Sequence, residues 1–135
     1  MQDNPSSVLF ACTMNSIRSP MAEAMLKFLH GHKIYVDSVG VRISEVDGFA
    51  IAVMNEVGID ISNHEAKSFD NLEDNFFDLV ISLSPEAQHR SVELTRTMSV
   101  EIEFWNTFDP SIIETNLREQ RLNAYREVRD RLMKS

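Results

Sequence analysis

The chain has 135 residues, 43% of them apolar and 25% charged, a profile that fits one soluble globular domain and excludes disordered and fibrous classes. Thirteen basic against 21 acidic residues leave a formal charge of -8, so the phosphate-backbone attraction that nucleic acids and anionic membranes require is missing. A single cysteine excludes disulfide staples and agrees with a reducing, cytoplasmic setting; the start, Met1-Gln2-Asp3-Asn4-Pro5-Ser6-Ser7, has no leader pattern, and no run approaches the ~20 apolar residues of a membrane span.

Val8-Leu9-Phe10-Ala11 predicts a short buried strand, followed by a polar loop. Met21, Ala24, Met25, Phe28 and Leu29 then recur at helical spacing, with Ser19 suited to the N-cap, Pro20 to the first helical position and Gly31 to the stop. The unit repeats: Ile34-Tyr35-Val36 opens a second strand ending at Asp37-Ser38-Val39-Gly40, and Val46, Phe49, Ala50, Val53, Met54 and Val57 form an apolar stripe closed by Gly58. Phe76-Phe77-Asp78-Leu79-Val80-Ile81-Ser82-Leu83 is nearly continuous in apolar residues, as in a central parallel strand covered on both faces, and Ser84-Pro85 opens the next helix. A fourth strand at Val100 to Trp105 leads to a last helix started by a Ser111/Glu114 capping box, with Ile113, Leu117, Ala124, Tyr125, Val128 and Leu132 on its inner side. Arg118, Arg121, Arg126, Arg129 and Arg131, interleaved with acids, read as a solvated, ion-paired face. Strands alternating with helices predict an α/β fold: a single three-layer domain over residues 1–135, with a four-stranded parallel sheet and helices on both faces.

Ligands of such sheets bind outside the carboxyl ends of the strands, and the loop Cys12-Thr13-Met14-Asn15-Ser16-Ile17-Arg18-Ser19 lies there. It can wrap a tetrahedral oxyanion: backbone N–H groups point inward, the helix start adds partial positive charge, and the Arg18 fork grips two oxygens. The same field favours thiolate over thiol at Cys12, making it a nucleophile, and Ser19 can donate to the sulfur. A free cysteine taken alone is more often an inert core residue. Here the preceding strand, a residue at Asn15 that tolerates left-handed geometry, and the Ser19-Pro20 helix start weigh the other way.

These residues resemble the low-molecular-weight protein tyrosine phosphatases and their arsenate reductase relatives. The resemblance rests on the stretch from Val8 to Ala24, on Asp37-Ser38-Val39-Gly40, on Ala50 to His64 and on Asp109-Pro110. It implies Cys12 as nucleophile, Arg18 as clamp and Asp109 as general acid, with Thr13, Met14, Asn15, Ser16, Ile17 and Ser19 binding substrate and Ser38 and His64 bracing Asn15. It implies no metal and no cofactor. Read alone, Asp109 is better taken as a turn former before Ser111, and only the Cys12 loop turns the reading to catalysis. His30 and His32 flank Gly31 without further ligands at metal spacing and are read as solvated. Three positions depart from the family pattern: Met14 replaces a frequent glycine, Ser111-Ile112 replaces substrate-flanking tyrosines, and Ile17 replaces a second cysteine that captures oxidised nucleophile.

The expected function is phosphomonoester hydrolysis through phosphocysteine, on phosphotyrosine in proteins or small aryl phosphates, with inorganic phosphate or a similar oxyanion as a further ligand. Two alternatives stay open: an arsenate reductase completed by an external thiol, since a one-cysteine chain has no internal relay, and a phosphate-binding or phosphocysteine carrier without turnover.

Overall fold

In the computed structural model, which describes residues 5–72, 77–96 and 99–134, four parallel strands form one sheet in the order β2-β1-β3-β4. They are β1 (Ser7–Cys12), β2 (Tyr35–Gly40), β3 (Leu79–Ser82) and β4 (Glu101–Phe104). The helices are α1 (Arg18–His30), α2 (Gly48–Asn55), α3 (Pro85–Leu94) and α4 (Arg118–Lys134), with short 3-10 turns at Phe69–Asn71 and Pro110–Ile112.

Alternation along β1 builds the layers. Val8, Phe10 and Cys12 face a core made with α1, α2 and α4, while Leu9 and Ala11 face a second core with Val39, Phe69, Val80 and Ala87. The central strands β1 and β3 are therefore apolar on both sides, as the expected three-layer arrangement requires. The chain steps from β1 outward to β2, then crosses to β3 on the other flank, so a crevice opens at the carboxyl end of β1. Cys12 is the last residue of that strand.

Several local expectations are corrected. Helix α1 begins at Arg18 with Ile17 in the cap position and no side-chain cap, because the Ser19 hydroxyl is drawn to Cys12 and Asn15 instead. Pro20 still lies within the first turn, where its missing N–H costs nothing. Phe28 and Leu29, expected inside, are exposed at the end of α1, and Met21, Ala22 and Met25 form its buried face.

The Ser111/Glu114 capping box does not form: Asp109 caps the 3-10 turn over Ser111, and α4 starts only at Arg118. Leu117 is exposed, while Leu122 joins Tyr125, Val128 and Leu132 inside. Arg129, read as solvated, is buried, donating to the Val53 carbonyl and to Glu56 at 2.8 Å each. Of the long apolar run at the third strand, Phe76 lies outside the described residues and the strand itself is Leu79–Ser82.

Candidate active site

The loop from Thr13 to Ile17 joins the end of β1 to the start of α1, and a neighbouring strap, residues 41–47, determines which way its peptides face. The carbonyls of Cys12, Thr13, Met14 and Ser16 accept from the amides of Val41, Arg42, Ser44 and Asp47 at 2.9 to 3.1 Å. A planar trans peptide sends the next N–H the opposite way, so the amides of Thr13, Met14, Asn15 and Ile17 turn away from the strap. Asn15 makes the tight turn with φ of 53°, the left-handed geometry that asparagine tolerates. Gly40 lets the strap approach this closely: a Cβ there would lie 2.6 Å from the Asn15 nitrogen and 2.7 Å from the Met14 carbonyl carbon.

Cys12 is buried, and its sulfur lies 2.9 Å from the Ser19 hydroxyl. Asn15 Nδ2 donates to the same Ser19 oxygen at 2.8 Å and to Ser38 Oγ at 3.0 Å, leaving the Ser19 proton to the sulfur at 2.9 Å or to the Val39 carbonyl at 3.4 Å. Asn15 Oδ1 accepts from the Lys67 amide at 2.9 Å and pairs with His64 Nε2 at 3.0 Å. As Oδ1 only accepts, His64 carries its proton on Nε2.

Arg18 is buried, with Nη1 donating to the Thr107 carbonyl at 3.0 Å and Nη2 3.8 Å from Asp109 Oδ2. Asp109 divides its two oxygens between tasks. Oδ1 accepts from the Ser111 amide and hydroxyl, the turn role, while Oδ2 faces the guanidinium. Thr13 is anchored by donation to Ser84 Oγ at the start of α3.

This loop, its strap and the converging arginine and aspartate accompany a match at the family level: the profile described as low molecular weight phosphotyrosine protein phosphatase covers residues 7–134. The chain belongs to this family. A glutaredoxin arsenate reductase of Synechocystis is 47% identical over 76 residues, spanning 56% of this chain and 58% of that protein. Arsenate reductase 2 of Staphylococcus haemolyticus is 39% identical over 105 residues, covering 78% of this chain and 79% of its own. Among solved structures, an arsenate reductase in its phosphate binding state superposes with a TM-score of 0.72 at 35% identity, over 95% of this chain and 91% of that one.

Behind the loop, this family member carries an acid that the sequence reading passed over. Glu23 is buried on α1; Oε1 accepts from Ser38 Oγ, and Oε2 pairs with Lys27 at 2.5 Å. His64 Nδ1 stands 3.8 Å from the same Oε1. Burial lowers the His64 pKa below its usual value and outweighs the opposing pull of Glu23. Glu23 follows Ser19 by four residues, so helical spacing alone places both on one side of α1. Lys67 donates to Asp37 at 2.6 Å; burial works to lower its pKa, but this bond and the Asp37 charge prevail and raise it.

Asp47 is a second missed support. Its amide holds the Ser16 carbonyl, Oδ1 caps α2, and Oδ2 accepts from Tyr125 of α4 at 3.1 Å. Burial, reinforced by the Asp47 charge, raises the Tyr125 pKa, so this hydroxyl stays a donor. Among the described residues no cluster of three or more His, Cys, Asp or Glu is placed to hold a metal, and no helix is long and apolar enough to cross a membrane.

Proposed function

We propose that this chain is one domain over residues 1–135 that hydrolyses phosphomonoesters through a phosphocysteine intermediate, acting on phosphotyrosine in proteins or on small aryl phosphates. The observation carrying this reading is the carboxylate oxygen of Asp109 held 3.8 Å from Arg18, at the mouth of a loop whose amides turn away from their strap. An acid in that place serves a leaving oxygen, and a mere phosphate carrier has no use for one. The relative in its phosphate binding state supports the oxyanion as ligand.

In this reading the Cys12 sulfur attacks phosphorus in line as the bond to the leaving oxygen breaks, and the Asp109 carboxyl protonates that oxygen. Water then attacks phosphocysteine, Asp109 as carboxylate takes its proton, and inorganic phosphate leaves. Arg18 and the amides of Thr13, Met14, Asn15 and Ile17 stabilise the equatorial oxygens, Ser19 meets the sulfur as it leaves phosphorus, and Ser38 and His64 brace Asn15.

A second reading is favoured by the relatives named arsenate reductases at 39% and 47% identity. With a single cysteine in the chain, its electrons come from outside. Cys12 and an external thiol become a mixed disulfide while arsenic(V) falls to arsenic(III), and a second thiol then restores Cys12. One preparation assayed in parallel for aryl-phosphate hydrolysis and for thiol-dependent arsenate reduction separates the two. Phosphate release without thiol supports the first reading, and arsenite formed only with thiol, without phosphate release, supports the second.

A further inference from the structure

Arg118 and Arg121 open α4 one turn apart, so their side chains share a face of the helix. Among the described residues neither forms an ion pair, unlike Arg18, Arg126 and Arg129. The acids around them are committed elsewhere. Asp47 takes the amides of Phe49 and Ala50 and the Tyr125 hydroxyl, Asp109 takes Ser111 and faces Arg18, and Glu119 pairs with Arg126. Glu114, exposed on the segment before α4, makes no ion pair among the described residues.

A short series of contacts ties both guanidiniums to the phosphate loop. The Asp47 amide holds the Ser16 carbonyl at 2.9 Å, and Asp47 Oδ2 accepts from Tyr125 at 3.1 Å. The Tyr125 ring packs on Phe49 at 5.5 Å between centroids, and the Arg118 guanidinium lies over the Phe49 ring at 5.4 Å. On the other side, α4 packs against the 3-10 turn that Asp109 caps. Burial leads in raising the Tyr125 pKa, and beyond it the hydroxyl feels the charges of Asp47, Asp109 and Arg121. Asp109 and Arg121 therefore border one hydroxyl. Arg118 lies within about 11 Å of the Tyr125 ring, a span that roughly three residues of an extended peptide cross. Stacking on Phe49 holds its guanidinium in place while the N–H groups in its plane stay open to a carboxylate. In a chain of formal charge -8, two uncompensated cations beside the site reverse the local field for an acidic segment.

Resting on the phosphatase reading, we propose that the substrate is a phosphotyrosine segment of a protein with an aspartate or glutamate within about three residues of the phosphotyrosine, and that Arg118 and Arg121 receive that carboxylate as specificity-determining residues. The chemistry at phosphorus is unchanged.

The test is a set of short phosphotyrosine peptides with a single glutamate at each flanking position in turn, each paired with its glutamine twin. All are assayed with the native protein and with Arg118→Gln/Arg121→Gln. At the favoured position the expected native ratio of kcat/KM, glutamate over glutamine, is about threefold to fivefold at low salt, the scale of partly exposed charge pairs. It falls toward one in the double variant and, for the native protein, in high salt. Each protein supplies its own control, so a general loss of activity cancels in the ratio. A native ratio of one or below at every position, or a ratio that survives the double substitution, overturns the proposal. Turnover of 4-nitrophenyl phosphate without turnover of any peptide also overturns it while leaving the phosphatase reading intact. Absence of turnover with nitrophenyl phosphate and peptides alike overturns both.

Discussion

At the scale of single residues the site is a chain of oriented protons. His64 fixes Asn15, Asn15 donates to Ser19, and the Ser19 proton faces the Cys12 sulfur at 2.9 Å, with the Val39 carbonyl at 3.4 Å as its second acceptor. Removing that last donor in Ser19→Ala is expected to lower kcat by roughly 10- to 100-fold, the worth of one hydrogen bond to a charged group, while phosphate affinity changes little. Stopped-flow assays with phosphate as competitor measure both numbers, and an unchanged kcat would remove Ser19 from the mechanism. His64 gives a stability prediction. Its pKa is lowered in the fold, so as pH falls below about 6.5 the unfolded chain takes a proton that the folded chain refuses. Stability contributed by keeping the ring neutral is therefore lost as pH drops and levels off below the folded value. Chemical denaturation at pH 7.5 and 5.5 should show a larger loss for the native protein than for His64→Gln; equal losses would contradict it.

Elements position these residues, and the strap is the least obvious of them. Its amides hold four carbonyls of the loop, so the inward-facing side depends on residues 41–47 and on Gly40, which sits under their point of closest approach. Gly40→Ala is expected to cost about 1–3 kcal/mol of stability by overpacking and to abolish phosphate binding in calorimetry, because the displaced groups are the Arg42 carbonyl oxygen of the strap and, in the loop, the Asn15 nitrogen and the Met14 carbonyl carbon. An alanine variant that binds phosphate normally would show that the loop does not depend on this contact. Much at this scale was legible in the sequence: the run Val8 to Ala11 before Cys12, the left-handed Asn15 and the Ser84-Pro85 start of α3 are local signals, and all three stand in the structure. Ser19 and Ser111 misled because both are good caps locally. Each hydroxyl is claimed by a partner that helix-start rules do not see: the Cys12 sulfur for one, Asp109 for the other.

Across the whole molecule, the parallel sheet was readable from alternation, since strands buried on both faces must be nearly all apolar. The clamp between α2 and α4 was not. Glu56 follows α2 and accepts from Arg126 and Arg129, residues far along the chain that look like any solvated arginines on a helix. The hydrogen bonds of Arg126 foremost, then those of Arg129, hold the Glu56 pKa down at about 2 from 4.5. A carboxylate so held contributes stability above pH 4.5 that fades as pH falls through about 2. Glu56→Gln should therefore melt below the native protein at pH 7, with the gap closing in acid; a gap independent of pH would mean that the clamp acts through packing rather than charge.

The central claim, a covalent bond between Cys12 and the transferred group, is tested most directly by rapid quench and intact-mass measurement on Asp109→Asn with 4-nitrophenyl phosphate. This leaving group departs without help from an acid, whereas hydrolysis of the intermediate still needs a base. The account predicts one burst equivalent of nitrophenolate and a single phosphoryl group on the peptide containing Cys12. A variant that turns over slowly with neither burst nor phosphorylated cysteine would contradict it.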